Sequence, residues 1–316
     1  MKRSLFVILI AFSYFGFSQN CDSLYLQSLK SFDKEQYKES ISIVETCIAS
    51  CPQDSKYYMH AAKCYYQIHD YEKTLAQLNI ALSIDDSLVP AYALKARLLT
   101  EAQLYDAAIV CYEKILALVA TNDNTTELYR INLSNAYLNT NQYEKAYALL
   151  KGLYTPDSQN LELITNLSVC CMNLDKKDEA EMYLQKILAI QPDFTAGLIN
   201  MGFYLTGKGE YQKAIDCFSK VIVIQPNEAY ALNNRGFAFY KLTKYDLALQ
   251  DINQSISIDP SNSYAFKNRA LVYFKTGLMQ EACLDLQKAL DLGYTKMYGD
   301  EVLILQKEAC PQNKGK

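Results

Sequence analysis

The chain of 316 residues carries 31 Lys and Arg against 35 Asp and Glu, so its formal net charge is −4. A duplex nucleic acid is normally bound by a basic face, and no basic run is present, so nucleic acid is excluded as a partner class. Half of the residues are apolar, whereas Gly and Pro number only 11 and 7. This composition predicts a large buried core built from helices.

Residues 1–18 have the pattern of a secretory signal peptide. Two basic residues precede the apolar stretch SLFVILIAFSYFGF. Its length matches a signal-peptide core and is short for a membrane span. Small residues at Gly16 and Ser18 predict cleavage before Gln19, which would leave a formal charge of −6 on the mature chain. An uncleaved anchor and a buried helix are the alternatives.

The same segment bears on the cellular location. A lipid-bearing Cys21 is disfavoured, because Ser18 and Asn20 stand where a lipoprotein signal has Leu and a small residue. No later stretch of the sequence is apolar enough to cross a bilayer. The sequence therefore predicts an exported protein, periplasmic or extracellular, without stable membrane insertion after cleavage.

A period of 34 residues runs through the rest of the chain, and such periods indicate repeat architectures. Pro192, Pro226 and Pro260 are spaced by 34, and the polar run TNDNTT at 121–126 accommodates four extra residues. This phase divides the array 19–296 into eight predicted units: 21–54, 55–88, 89–122, 127–160, 161–194, 195–228, 229–262 and 263–296. The seventeenth position is Tyr in six units, namely Tyr37, Tyr71, Tyr105, Tyr143, Tyr211 and Tyr245. The twentieth is Ala in six, namely Ala108, Ala146, Ala180, Ala214, Ala248 and Ala282.

Each unit contains two apolar patterns with helical spacing, separated by a polar turn. Two antiparallel helices approach closely only where a facing side chain is small, so Gly202, Gly236 and Ala270 are expected to face the alanines of the second helix. A proline after the second helix prevents its continuation. One such pair buries too little apolar surface by itself, so the units are expected to stack.

These positions resemble the tetratricopeptide repeat family over 21–296, most closely at Leu198, Gly202, Ala214, Phe218, Pro226, Leu232, Gly236, Ala248 and Pro260. The resemblance implies an all-α, right-handed superhelical solenoid of about eight helix hairpins. The first helices of the hairpins would line a concave groove. With the signal segment, it identifies the chain as an exported bacterial protein of this family.

The C-terminal residues are expected to close the array. Residues 297–310 carry Val302, Leu305 and Ala309 on one helical face, which predicts a capping helix over the last exposed apolar surface. Residues 311–316 are predicted to be a frayed tail.

Ten cysteines are many, and in an exported protein they can form disulfides. Cys283 begins the last unit's second helix and Cys310 ends the capping helix, so antiparallel packing would bring them together. Cys21 and Cys51 have the same arrangement in the first unit. We predict these two pairs as disulfides, whereas Cys111, Cys170, Cys171 and Cys217 are interpreted as core residues.

Catalytic and metal-binding patterns are missing from the sequence. His60 and His69 are the only histidines, and neither has a partner at metal-ligand or nucleophile–base spacing. We therefore predict no cofactor, no metal site and no enzymatic activity. An enzyme of unrecognised type is the third hypothesis, after two binding functions.

The resemblance assigns the groove to the second, fifth, ninth and twelfth or thirteenth positions of each unit. In the C-terminal half, the predicted partner-binding residues are Phe203, Tyr230, Asn233, Phe237, Tyr240, Lys241, Tyr264, Lys267 and Phe274. Aromatic anchors suit a peptide or protein partner, so the first hypothesis is an interaction scaffold. The alternatives are glycan or cell-wall-fragment binding by the same rings, and plain packing of the rings between neighbouring helices. The Lys–Asn pattern by which co-chaperone members hold a terminal carboxylate occurs in no unit.

Overall fold

The computed structural model describes residues 21–119 and 124–310, which are helical between short connections and contain no strand. The predicted all-α fold of consecutive hairpins is confirmed. The signal segment 1–18 and the tail 311–316 lie outside the described residues, so these two predictions stay untested. The helices are α1 (21–33), α2 (Tyr37–Ser50), α3 (Ser55–Gln67), α4 (Tyr71–Ile84), α5 (Val89–Glu101), α6 (Tyr105–Leu118), α7 (Asn124–Asn139), α8 (Tyr143–Lys151), α9 (Leu161–Asn173), α10 (Lys177–Ile190), α11 (Thr195–Gly207), α12 (Tyr211–Ile224), α13 (Ala229–Lys241), α14 (Tyr245–Ile258), α15 (Ser263–Thr276), α16 (Met279–Asp291), α17 (Tyr294–Tyr298) and α18 (Glu301–Ala309).

The chain separates into two compact units, which we call the N-terminal unit (1–153) and the C-terminal unit (154–316). The N-terminal unit contains the described helices α1 to α8. The C-terminal unit contains α9 to α18. From α2 to α8, and again from α9 to α18, each helix packs against the next one along the chain. This sequential packing is the arrangement expected of stacked hairpins. None of the described helices is both long and apolar enough to span a membrane.

The turn inside every hairpin contains one residue with positive φ. That residue is the fifteenth of its predicted unit, and φ lies between 56° and 82°. Only two of the eight are glycines; the set is Glu35, His69, Gln103, Asn141, Asp175, Gly209, Thr243 and Gly277. The sequence pattern located these turns. It did not reveal their common left-handed backbone, because six of the eight residues are not glycine, the residue that usually signals this conformation.

Helix ends follow local chemistry. Asp54, Asp70, Asn160 and Asn262 cap the first turns of α3, α4, α9 and α15 with side-chain oxygens that accept backbone N–H groups. At the other end, Pro192, Pro226 and Pro260 each follow a second helix after one intervening residue, as expected for a residue that cannot continue a helix.

Small residues permit close helix packing in the C-terminal unit. A Cβ atom on Gly236 would lie 2.6 Å from Ile252 Cγ1 and 3.1 Å from the backbone oxygen of Ala248. A Cβ on Gly202 would lie 2.7 Å from the ring of Phe218, so this glycine makes room for that aromatic ring.

Two hairpins of the C-terminal unit carry the same ion pair. Arg235 donates from Nε and Nη2 to Asp251 at 2.7 and 2.9 Å, and Arg269 binds Asp285 in the same way at 2.7 and 2.8 Å. Each arginine also donates from Nη1 to the second helix of the preceding hairpin, where Ser219 or Asn253 accepts. Each arginine therefore links its own hairpin to the one before it.

The first hairpin and α3 share a buried polar network. The hydroxyls of Ser28 and Ser40 lie 2.9 Å apart, and each lies 3.0 Å from His60 Nε2. All three residues are buried, as is Cys64, whose sulfur lies 3.2 Å from Ser40 Oγ. Burial lowers the pKa of His60 to about 4, because the charged imidazolium loses its hydration.

The described residues end with two helices, α17 and α18, in the region where one capping helix was predicted at 297–310. Gly299, with φ of +86°, separates α17 from α18. Val302 of α18 is fully buried with Leu286 and Ala289 of α16 and with Tyr294 of α17. The apolar face of the last hairpin is therefore covered by both helices together.

Candidate functional site

The candidate site lies on the first helices of the C-terminal unit. We define the aromatic face as Phe203 of α11, Tyr230 and Phe237 of α13, Tyr264 of α15, and Tyr298 at the end of α17. Phe203, Tyr230 and Tyr298 expose 56%, 57% and 51% of their surface. Large apolar or aromatic side chains this open to solvent, in successive hairpins, are the feature expected of an interaction surface.

The central rings of this face are joined by a lysine. The Nζ atom of Lys267 lies 4.4 Å from the ring centroid of Tyr264 and 5.6 Å from that of Phe237. Tyr264 in turn lies 5.3 Å from the ring of Tyr298. These distances are within cation–π and aromatic pairing range, so the three rings and the ammonium form one cluster.

Two predicted binding residues are not accessible. Lys267 is only 3% exposed: its ammonium lies by the rings of Tyr264 and Phe237 and pairs with Glu301 of α18 at 3.4 Å. Asn233 is 1% exposed and accepts a hydrogen bond of 3.0 Å from Asn268. Both were expected to face the groove, and this expectation is corrected, since each is used within the protein.

Burial sets the charge behaviour of this cluster. Loss of hydration lowers the pKa of Lys267, and the carboxylate of Glu301 opposes this shift. Burial also raises the pKa of the Tyr264 hydroxyl. Glu301 Oε2 additionally accepts a hydrogen bond of 2.9 Å from Tyr294. The cluster therefore presents neutral tyrosine hydroxyls at neutral pH, beside the paired side chains of Lys267 and Glu301.

The aromatic rings at the twelfth position of the units pack between neighbouring helices, which was the alternative to partner binding. Tyr240 is half-buried against the core of α14 and α15, and Phe274 is half-buried against the core of α16 and α18. Lys241 is exposed, with Nζ 5.2 Å from the ring of Phe237. Of the nine predicted residues, Phe203, Tyr230 and Lys241 are thus open to solvent, while Phe237, Tyr264, Tyr240 and Phe274 are half-buried.

Two site residues were missed in the sequence. Tyr298 lies 34 residues after Tyr264, and Glu301 lies 34 residues after Lys267. The end of α17 and the start of α18 therefore repeat the second and fifth positions of a unit. The 34-residue period that divides 21–296 therefore extends into α17 and α18. This spacing was the signal in the sequence by which Tyr298 and Glu301 could have been found.

The structure brings together each predicted cysteine pair. The sulfurs of Cys21 and Cys51 lie at bonding distance with 6.8 Å between Cα atoms, and those of Cys283 and Cys310 with 5.7 Å. Cys47, Cys64, Cys111, Cys170 and Cys171 are buried thiols. Across 21–119 and 124–310 no group of His, Cys, Asp and Glu side chains is arranged to hold a metal ion.

Three family models match parts of the chain. Residues 101–187 match the model described as anaphase-promoting complex, cyclosome, subunit 3. Residues 205–243 match a TPR repeat model, and 229–262 match the tetratricopeptide repeat model. The last match spans the predicted seventh unit. No curated protein matches the chain.

Solved structures of the same architecture are numerous. A tetratricopeptide repeat protein from Parabacteroides merdae ATCC 43184 is 18% identical with a TM-score of 0.67, covering 80% of this chain and 98% of its own. The Cut9–Hcn1 hetero-tetramer of the anaphase-promoting complex is 17% identical with a TM-score of 0.62. That match covers 91% of this chain but only 55% of the other, so the present chain spans about half its length. A thermophilic TPR protein of Thermus thermophilus is 18% identical with a TM-score of 0.51, covering 58% and 98%. At these identities the solved structures show the fold alone. The repeat models identify tetratricopeptide repeats within residues 205–262 of this chain.

Proposed function

We propose that the chain is an interaction scaffold that binds an extended, largely apolar segment of a protein partner on the aromatic face. The observation that carries this proposal is the exposure of Phe203 and Tyr230, each more than half open on successive first helices. Aromatic side chains dominate binding energy at protein interfaces, and leaving them in water has a cost that a partner would remove.

The neighbouring groups favour a peptide over a highly charged ligand. Lys267 is paired with Glu301, and Lys241 is an exposed cation beside the ring of Phe237. The half-buried hydroxyl of Tyr264 and the amides of Asn233 and Asn268, which bond to each other, supply few further polar contacts to a ligand. A segment with apolar side chains at alternating positions would fill the spaces between the rings.

The location we propose is outside the cytoplasm. Two observations support it: the signal-like residues 1–18, and two cysteine pairs at bonding distance. Disulfides persist in oxidising compartments and are rare in the cytosol.

The test is selection of a randomised dodecapeptide phage library on the purified protein. We expect peptides rich in apolar and aromatic residues, whose binding falls at least tenfold in the double variant Phe203→Ser, Tyr230→Ser. Val223→Ser is the matched control, because Val223 is 82% exposed but lies on the second helix α12. Equal binding by both variants would contradict the proposal. Binding of soluble cell-wall fragments that needs Tyr230, without any apolar peptide consensus, would favour the glycan hypothesis instead.

A further inference from the structure

The N-terminal unit contains an open cavity of about 720 Å³ that is distinct from the aromatic face. Its lining comes mainly from the first helices of four successive hairpins, α1, α3, α5 and α7. This volume lies in the range of cavities that hold ligands, and the cavity is open enough to admit an extended chain.

Two cations stand on this surface one repeat apart. Lys63 and Arg97 both line the cavity and are both exposed, and they are separated by 34 residues. Lys63 makes no ion pair with any other described residue. The guanidinium of Arg97 lies 4.4 Å from the ring centroid of Tyr66, which is within cation–π range.

Among the described residues of the lining, Glu101 is the one carboxylate, and it is already engaged. Glu101 accepts a hydrogen bond of 3.1 Å from Tyr66 and lies 3.9 Å from Arg97 Nε. The side chains of Arg97 and Glu101 are 56% and 48% exposed, so their mutual attraction is weak and easily exchanged for another carboxylate. The cavity thus has a net positive lining within a chain whose formal charge is −4.

Apolar side chains form much of the remaining lining, next to the neutral polar side chains of Gln67, Thr100 and Asn132. Met59 and Leu94 form a buried floor at 7% and 8% exposure, and Leu128 on α7 exposes 53% of its surface. Pro90 and Ala93 complete the wall between them. A ligand that fits must bring apolar side chains to this floor and negative charge to Lys63 and Arg97.

We propose that this cavity is a second binding site, which takes an acidic, extended segment of a protein partner. Aspartate or glutamate side chains of the segment pair with Lys63 and Arg97, and an intervening apolar side chain contacts Met59 and Leu94. Arg97 suits this role because a planar guanidinium can bind a carboxylate with two hydrogen bonds. The site differs in chemistry from the aromatic face and does not depend on it, so the chain has two surfaces for two kinds of segment.

The experiment uses the full chain with its cysteine pairs oxidised, and selects the same randomised dodecapeptide library on three proteins. These are the unaltered protein, the cavity variant Lys63→Glu, Arg97→Glu, and the aromatic-face variant Phe203→Ser, Tyr230→Ser. We expect an acidic consensus with interspersed Leu, Ile or Phe from the unaltered protein and from the aromatic-face variant. The cavity variant is expected to lose this consensus.

Fluorescence polarisation with one selected acidic peptide then measures the effect. Binding should weaken at least tenfold in the cavity variant and should weaken as salt is raised, since the contact is between exposed charges. The control Lys30→Glu, Lys38→Glu changes the charge of the same unit equally, on exposed residues outside the cavity, and should change binding less than twofold. An acidic consensus that survives in the cavity variant, an equal loss in the control, or the absence of any acidic consensus would each overturn the proposal.

Discussion

Arg235 binds Asp251 across the hairpin of α13 and α14 with two parallel hydrogen bonds, and Arg269 binds Asp285 in the same way one repeat later. The carboxylates are 5% and 8% exposed, whereas the arginines are about one-fifth exposed. A carboxylate buried to this degree depends on its partner, because it has exchanged water for the guanidinium.

Arg235→Met is therefore expected to destabilise the C-terminal unit by about 3 kcal/mol, since Asp251 would keep its charge without a partner. The urea midpoint of the far-ultraviolet circular dichroism signal measures this loss. The double variant Arg235→Met, Asp251→Leu should recover most of it. Lys213→Met removes an exposed pair with Glu210 and should change the midpoint little. Equal effects of Arg235→Met and Lys213→Met would show that the buried pair has no special role.

Gly236→Ala should lower stability by about 1 to 3 kcal/mol despite the better helix propensity of alanine. The added Cβ would meet Ile252 and the backbone oxygen of Ala248, and the backbone cannot move without separating α13 from α14. Gly207→Ala is the matched control, because it is also helical and has nothing within 4 Å of a new Cβ. The control should be neutral or stabilising in the same urea titration; a stabilising Gly236→Ala would contradict the packing described.

Thr243→Gly should raise stability by about 1 kcal/mol. Thr243 holds a φ of 59° in the turn between α13 and α14, where a β-branched side chain is sterically strained and glycine is not. Thr243→Ala keeps a Cβ and should give a smaller gain, so the order of the three proteins in thermal melting is the measurement. A melting temperature for Thr243→Gly below that of the unaltered protein would refute the argument.

His60→Asn should flatten the acid side of the stability profile. His60 has a folded-state pKa of about 4 against an ordinary value of 6.5, so the unfolded chain binds the proton more readily. The stabilisation is present in full above pH 6.5 and is lost as the pH falls from 6.5 towards 4. Asparagine occupies the same sixth position in later units, including Asn234 and Asn268, so the replacement fits the repeat. Between pH 8 and pH 4 the melting temperature should fall less in the variant than in the unaltered protein. An equal fall in both proteins would exclude His60 as the source of the acid destabilisation.

The fold was predictable because the 34-residue period fixes both the helix pattern and its phase. Pro192, Pro226 and Pro260 end three second helices in the structure, as their spacing predicts. The exact limits of the eight units stay a prediction. The ion pairs were missed although Arg235 and Arg269 share the period with Asp251 and Asp285. The sequence places an arginine on one helix, but it does not show which carboxylate of the other helix lies opposite until the packing geometry of the two helices is known.

The candidate site was less predictable, for two physical reasons. Family position assigns a side chain to a face, but burial depends on what covers that face. Here the rings of Tyr264 and Phe237 and the carboxylate of Glu301 lie around the ammonium of Lys267. The cavity of the N-terminal unit combines Lys63 and Arg97 with a floor whose depth only the packed helices define. These positions lack the Lys–Asn pattern, so their sequence alone did not single them out.

The two cysteine pairs have sequence separations of 30 and 27, one in the first hairpin and one joining α16 to the end of α18. With both pairs bonded, tension applied to the two ends of the molecule passes through sulfur rather than through the enclosed helices. In each loop, roughly 90 to 100 Å of chain, measured as fully extended backbone, could not be pulled out while the disulfide is intact. The hairpins between them would then lengthen first, and the outermost ones would be the last to yield to a pulling force.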